Sequence, residues 1–393
     1  MAREQLRIGM IAAAGRGALA RHWHEPEGRS VVVAAADPNP KSIQWFKDNV
    51  NADAFTTDDY RRLLERDDVD AVAVCSPDAF HAEHAVAVLQ AGKHLFCEKP
   101  LGITTDEADE ILRAAKAAKA EGVHAMVGFN MRYMVKIRTM KEIVDSGVLG
   151  EVKAVWTRHF INYGGEAYFH DWHATRKTQN SLLLQKASHD LDVMHWLVGA
   201  YTRKVVGMGG LQWYGGDMPN ELTCPDCDRR ETCPDVSTWP VATRLCAFRK
   251  EVDVEDCSMV LMHMDGGILG SYQQCHFTPD SWRNYTVIGT EGRMEDNKDN
   301  SVDVFTRGSN SYREYADRHY SVKPVKGGHG GADPQVCRAF VKMCLDGERP
   351  VSPLLPGRMS VAAGATATES LRNGSALMDV PPLPADLADA AEI

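Results

Sequence analysis

Glu98-Lys99-Pro100 places a carboxylate, an amine and a ring-locked backbone side by side. The tripeptide closes the run Ala91-Gly92-Lys93-His94-Leu95-Phe96-Cys97, which reads as a turn followed by a short buried strand. Proline then ends the hydrogen-bond ladder. In open parallel sheets, ligands bind beyond the carboxyl ends of strands. A lysine there can hold a substrate hydroxyl or exchange a proton with it. Taken alone, the tripeptide reads as a surface ion pair beside a turn proline. The residues before it change that reading.

Leu6 to Ile11 is a short apolar run, and Ala12-Ala13-Ala14-Gly15-Arg16-Gly17 follows it. This is the place of the Gly-x-Gly-x-x-Gly turn, which brings a pyrophosphate against a helix N-terminus. Ala12 and Ala14 stand where the first two glycines would be, and Gly17 keeps the third. The next apolar run, Val31-Val32-Val33-Ala34-Ala35-Ala36, ends in Asp37. An acid about 20 residues beyond the turn bonds the adenosine ribose and repels a 2′-phosphate, so NAD is expected over NADP. A further buried run, residues 71–75, ends in Ser76-Pro77-Asp78, and His81 and Glu83 open the helix after it. Gly92 closes that helix. Residues 104–119 read as another helix with Thr105 as its N-cap. Strands alternating with helices predict an α/β fold with a doubly wound parallel sheet, here over residues 1–127.

The chain has 393 residues, enough for a second domain, expected over residues 128–393. It is 44% hydrophobic and 25% charged, the balance of a globular enzyme. A net charge of −10 argues against nucleic-acid binding. No apolar stretch reaches the roughly 20 residues that cross a bilayer. Met1-Ala2-Arg3-Glu4-Gln5 carries no signal-peptide pattern, so a cytoplasmic location is expected, with the ten cysteines reduced, buried or metal-bound.

Ser76-Pro77, His81, Ala91-Gly92-Lys93-His94, Cys97-Glu98-Lys99-Pro100-Leu101 and Gly128-Phe129-Asn130-Met131-Arg132 together resemble the Gfo/Idh/MocA oxidoreductases. So do Gly147-Val148-Leu149-Gly150-Glu151-Val152, His189-Asp190-Leu191-Asp192, Gly289-Thr290-Glu291-Gly292 and the segment from Gly330 to Asp333. The resemblance implies an N-terminal Rossmann domain and a C-terminal α/β domain with a large, mostly antiparallel open sheet. It further implies that Ala12, Ala14, Gly15, Arg16, Gly17, Asp37, Ser76, Pro77, His81, Glu98 and Asn130 surround the cofactor. Lys99 would bind the reacting hydroxyl, and His189 would act as acid or base or hold a neighbouring hydroxyl. Arg132 is a candidate substrate contact. Many relatives carry Asp-x-Gly-x-His where this chain has Gln185-Lys186-Ala187-Ser188-His189. On a helix, Lys186 and His189 share a face, which makes Lys186 a candidate second base. Asp190 points elsewhere, and Asp192 is placed to orient the imidazole.

Residues 163–176 mix glycine, histidine and aromatic side chains, which suits a sugar with apolar faces and a polar rim. Within and beside this loop, Asp171, His173, Arg176 and Lys177 are candidate substrate contacts, and the two basic residues allow an anionic sugar. Cys224-Pro225-Asp226-Cys227, with Cys233 and Cys246, has the spacing of a closed structural zinc site in an insertion over about residues 217–246. Tyr272, Gln274 and His276 alternate along one strand face. The open sheet predicts a homo-oligomer, a dimer or tetramer. Three functions fit. The first is NAD-dependent oxidation of a sugar, polyol or glycoside. The second is glycoside hydrolysis through transient C3 oxidation, elimination, hydration and re-reduction, as some relatives perform it. The third is a non-catalytic nucleotide sensor.

Overall fold

The computed structural model describes residues 5–238, 244–297, 300–308, 311–323 and 325–390. The chain divides into two compact units, residues 1–138 with 323–361 and 382–393, and residues 139–322 with 362–381. No described helix is long and apolar enough to cross a membrane.

The first unit holds six parallel strands: β1 (Leu6–Ile11), β2 (Ser30–Ala36), β3 (Phe55–Thr57), β4 (Ala71–Val74), β5 (His94–Cys97) and β6 (Ala125–Val127). Their spatial order is β3-β2-β1-β4-β5-β6, so the order reverses between β1 and β4. That is the switch point where doubly wound sheets bind ligands. The strands read as continuous apolar runs because both faces are covered; all four residues of β4 are buried. The helix Thr105–Lys119 is capped by Thr104, not Thr105: the Thr104 hydroxyl accepts from the Glu107 amide, and Glu107 Oε2 accepts from the Ile103 amide.

The stretch 323–361, expected in the second domain, packs in the first unit. The helix Asp333–Asp346 brings Phe340 against Trp23 and Phe96, with ring centroids 5.7 and 5.6 Å away, and Trp23 Nε1 donates to the Cys337 carbonyl at 3.0 Å. Three large aromatics bury more area together than the sheet could alone, so the sheet recruits this distant helix.

The second unit is built on nine strands: β7 (Val152–Phe160), β8 (Thr202–Gly210), β9 (Cys257–Met264), β10 (Leu269–Cys275), β11 (Trp282–Gly289), β12 (Gly292–Asp296), β13 (Ser301–Thr306), β14 (Arg318–Ser321) and β15 (Met378–Asp379). Their order is β14-β13-β12-β11-β7-β10-β9-β8-β15, and every pairing is antiparallel except β7 with β10. β9 alternates strictly between buried and exposed positions, so one face of this sheet is a core face. Tyr272, Gln274 and His276 lie on the buried side.

Arg358 and Asp109 form a buried ion pair in the first unit. Arg358, with none of its surface exposed, donates from Nε to Asp109 Oδ1 at 2.7 Å and from Nη2 to the Pro382 carbonyl at 2.8 Å. Asp109→Ala would strip that guanidinium of its carboxylate, and a loss of about 3–5 kcal/mol is expected in urea unfolding. A loss under about 1 kcal/mol, the worth of an exposed pair, would contradict this account.

Candidate functional site

The turn after β1 is shaped by steric exclusion. A Cβ on Gly17 would meet the Ala12 carbonyl oxygen at 2.3 Å, so only glycine fits there. Ala12 itself adopts φ +73, the left-handed region that glycine enters without strain. Gly15 also has a positive φ, +58. The turn leads into a 3₁₀ segment, Gly15–His22. Asp37 accepts from the Ala13 amide at 2.9 Å, which places the acid at the end of β2 beside the turn. These residues fit a dinucleotide: a backbone cradle too tight for a side chain, next to an acid for the ribose.

A carboxylate network rims the strand ends. Arg16 Nε donates to Glu98 Oε1 at 2.5 Å, and its two terminal nitrogens reach Asp333 at 3.1 and 3.0 Å. Asn130 Nδ2 donates to Asp333 Oδ1 at 2.8 Å, and His329 Nδ1 lies 3.1 Å from Asp333 Oδ2. Burial alone would raise the Asp333 carboxyl, but His329 and Arg16 hold it far below the carboxylate range. Arg16, Glu98 and Asn130, each expected at the cofactor, are thus gathered around one residue. The other Glu98 oxygen accepts from the Lys99 amide at 3.1 Å. The Lys99–Pro100 bond is cis.

His81 is a brace for this corner. Its Nδ1 lies 2.6 Å from the Pro100 carbonyl and its Nε2 2.7 Å from that of Ser76. Burial pushes the imidazole's pKa down, while the Pro100 and Ser76 carbonyls favour the doubly protonated ring that can donate to both. The ring therefore ties the Ser76-Pro77 turn to the Glu98-Lys99-Pro100 turn. Asp78, absent from the sequence-based candidates, is 3% exposed, and its Oδ2 meets no hydrogen-bond partner among the described residues. Burial pushes its pKa up to about 8, although the Lys99 ammonium pulls it down. Its signal in the sequence is position: it follows β4 at the same sheet edge as Lys99.

In the second unit the expected helix is broken. Leu182–Gln185 and Ser188–Val198 are separate helices, Lys186 caps the first, and His189 stands in the first turn of the second. The two side chains therefore do not share the face of one helix. Lys186 Nζ lies 3.3 Å from the Tyr163 hydroxyl and 5.4 and 5.6 Å from the centres of the Tyr163 and Tyr168 rings. His189 and Asp192 are both buried.

Asp190 is the hub of this unit. Its carboxylate accepts from the Tyr272 hydroxyl at 3.0 Å and from the Tyr285 hydroxyl, and it meets His159 Nδ1 at 3.1 Å and Arg283 Nε at 3.1 Å. Burial would raise its pKa, yet Arg283 and His159 hold it well below the carboxylate range. Burial, joined by Arg283, pushes His159 down to about 3, so its neutral ring donates to the carboxylate.

Several other candidates are held by the protein itself. Arg132 Nη1 donates to the Val351 carbonyl at 2.7 Å, within the first unit. Arg176 donates to the Asp253 carbonyl and to Glu255. His173 lies 2.6 Å from Asp171 Oδ1 and stacks on Trp172. Gly164 lets the loop approach β10's end, since a Cβ there would overlap the His276 carbonyl at 1.9 Å. Cys224, Cys227, Cys233 and Cys246 line one small cavity with His170, Arg230 and Asp235. Among the described residues, no three His, Cys, Asp or Glu side chains form a group that could hold a metal ion as they stand.

Residues 6–129 match the model of the oxidoreductase family's NAD-binding Rossmann fold, and residues 141–380 match its C-terminal α/β domain. The putative oxidoreductase YteT of Bacillus subtilis is 28% identical, over 77% of this chain and 80% of its own. An inositol 2-dehydrogenase of Gluconacetobacter diazotrophicus is 34% identical over 49% of this chain and 54% of that enzyme, so that match spans about half of each. An oxidoreductase domain protein from Kribbella flavida shares the fold with a TM-score of 0.79 at 23% identity, covering 97% of this chain and 100% of that one. Levoglucosan dehydrogenase in complex with NADH and levoglucosan does so with a TM-score of 0.75 at 20% identity, covering 96% and 100%. At these identities the structural likeness shows the fold alone.

Asp78 generates a pH prediction. Between its unfolded pKa of about 3.9 and its folded value of about 8, the folded chain holds the extra proton. This residue's contribution to stability therefore falls as pH rises through that window. Asp78→Asn removes the titration, so its melting temperature should rise relative to the parent from about pH 5 to about pH 8 and then level off. Parallel melting curves across that range would refute the assignment.

Proposed function

The chain belongs to the Gfo/Idh/MocA oxidoreductase family, and we propose that it is an NAD-dependent enzyme that oxidises a hydroxyl of a sugar, polyol or glycoside. The observation that carries this reading is the corner beyond β5. Lys99 stands beside a Glu98 carboxylate already committed to Arg16 and beside the buried Asp78. Lys99 follows the carboxyl end of β5, where parallel strands present groups to ligands. NAD, when bound, supplies the hydride acceptor. Lys99 holds the hydroxyl and favours its deprotonation. His189 carries the proton, and Lys186, against Tyr163, is a second proton carrier. Tyr163, Tyr168 and His173 offer the mixed apolar and polar surface that suits a carbohydrate. The inositol 2-dehydrogenase match supports a polyol or sugar substrate.

Lys186 also supports a second reading. Oxidation at C3 of a glycoside makes the C2 hydrogen acidic. One base removes that proton as the C1 substituent leaves with its bonding electrons. Water adds at C1, and the stored hydride returns to C3. This needs a base besides the group that serves the C3 hydroxyl, and the chain has both His189 and Lys186.

One assay separates these. Chromogenic glycosides and free sugars, neutral and anionic, are offered with NAD while NADH and released aglycone are followed together. NADH without aglycone means a dehydrogenase. Aglycone that requires NAD without net NADH means the redox-assisted hydrolase. Lys99→Ala should lose about 10²–10⁴-fold in either channel. Undiminished turnover in that variant would overturn the role of Lys99, and NAD binding without turnover on any substrate would favour a sensor.

We further propose that a second copy of this chain covers the open face of the large sheet. Met208, Met259, Leu261, Leu269 and Trp156 are 60, 53, 64, 57 and 48% exposed, on adjacent strands with the same facing. So contiguous an apolar patch marks an interface. Leu261→Glu should shift the protein to a smaller species in sedimentation. An unchanged sedimentation coefficient would refute the proposal. Ten free thiols fit a reducing cytoplasm.

A further inference from the structure

The insertion that begins near residue 217 is barely held by backbone pairing. Two isolated bridges, Met218↔Arg249 and Thr223↔Leu245, are its ladder. Residues 239–243 within it lie outside the described residues. Such a short excursion, with little apolar core of its own, needs another fastening. Its cysteines are arranged to supply one.

The antiparallel bridge puts Cys224 and Cys246 on neighbouring strands with the same facing, one residue beyond each bridged partner. The Cys224 amide donates to the Arg244 carbonyl at 2.9 Å, and the Cys246 amide to the Leu222 carbonyl at 2.8 Å. Cys-Pro-Asp-Cys then turns back, with the Cys227 amide 3.4 Å from the Cys224 carbonyl and the Arg230 amide 3.3 Å from that of Cys227. The short 3₁₀ turn Arg230–Thr232 delivers Cys233. All four side chains line one cavity of about 10 Å³, room for little more than a single ion or water. Arg230, on the cavity wall, supplies positive charge.

We propose that Cys224, Cys227, Cys233 and Cys246 close around one zinc ion as a structural tetrathiolate. The sulfurs turn into the cavity they already line, each S–H gives its proton to solvent, and four Zn–S bonds form. No oxidant or reductant is involved, and the site's net charge is −2, offset in part by Arg230. No position is left for a water, so the ion is structural rather than catalytic.

The surroundings give the ion a purpose. Arg249, three residues past Cys246 and 1% exposed, donates to the Phe169, Asp171 and Cys246 carbonyls. His170 Nδ1 donates to the Leu245 carbonyl at 2.6 Å and lies 3.7 Å from Cys224 Sγ. Asp235 accepts from Tyr214 at 2.7 Å and meets His170 Nε2 at 3.3 Å. The thiolate cluster thus backs the segment that carries Tyr168 and His173, and zinc would fix that segment without touching substrate.

The full chain, purified without chelator, should carry about one zinc per protein by elemental analysis. Metal-free protein refilled with Co²⁺ should show the strong visible bands and near-ultraviolet sulfur charge transfer of a tetrahedral thiolate site. Cys227→Ser should lose the zinc, whereas Cys344→Ser should keep it. Absence of metal with four titratable thiols, a disulfide among the four, or an octahedral cobalt spectrum would each overturn the proposal. The cobalt spectrum of the parent chain decides the matter even where the serine variant fails to fold.

Discussion

One guanidinium organises the first unit. Arg16 leaves the turn after β1 and is shared between Glu98, at the end of β5, and Asp333, at the start of a helix more than 300 residues later. Three stretches of chain remote in sequence meet at that cation. Because Glu98 and Asp333 are buried, neither carboxylate is well solvated, and the shared charge is what makes their burial tolerable. The turn that fits a pyrophosphate and the lysine that fits a hydroxyl are therefore set relative to each other by an ion pair rather than by apolar packing. His81 finishes the corner from the other side by bridging two carbonyls.

Asp190 does the same work in the second unit, with the signs exchanged. There an anion collects cationic and hydroxyl donors from β7, β10 and β11 at the start of the helix that bears His189. Tyr272, Tyr285, His159 and Arg283 surround that carboxylate and its pKa is held well below the usual range, so it is a fixed charge and not a proton carrier. Lys186 lies instead against the Tyr163 hydroxyl and the Tyr163 and Tyr168 rings.

The parts of the candidate site legible in the sequence are those set by a single strand end. Asp37 and Lys99 are found by one rule, that parallel strands present ligand groups at their carboxyl ends, and Gly17 by the turn beside them. Asp78 obeys the same rule, but Ser76-Pro77 before it reads as a turn and gives Asp78 no signal of its own. Asp190 was set aside because it is adjacent to His189, and adjacency on a helix suggests divergence. Its role depends on three strands that no local pattern relates to it. The break at Lys186 was hidden for a similar reason, since the residues around it have ordinary helix propensity. The allocation of residues 323–361 to the first unit rests on Phe340 meeting Trp23 and Phe96, a contact with no short-range signature.

That last contact has a consequence in time. During synthesis the ribosome releases β1 through β6 long before Phe340 exists, so Trp23 and Phe96 wait with their rings uncovered while nearly 200 residues of the second unit are made. A first unit closed by its own distant return sequence can complete its core only late in synthesis. Truncation before residue 333 would leave that apolar surface open, with Arg16 lacking one of its two anions. The nucleotide half is thus encoded first and completed near the end.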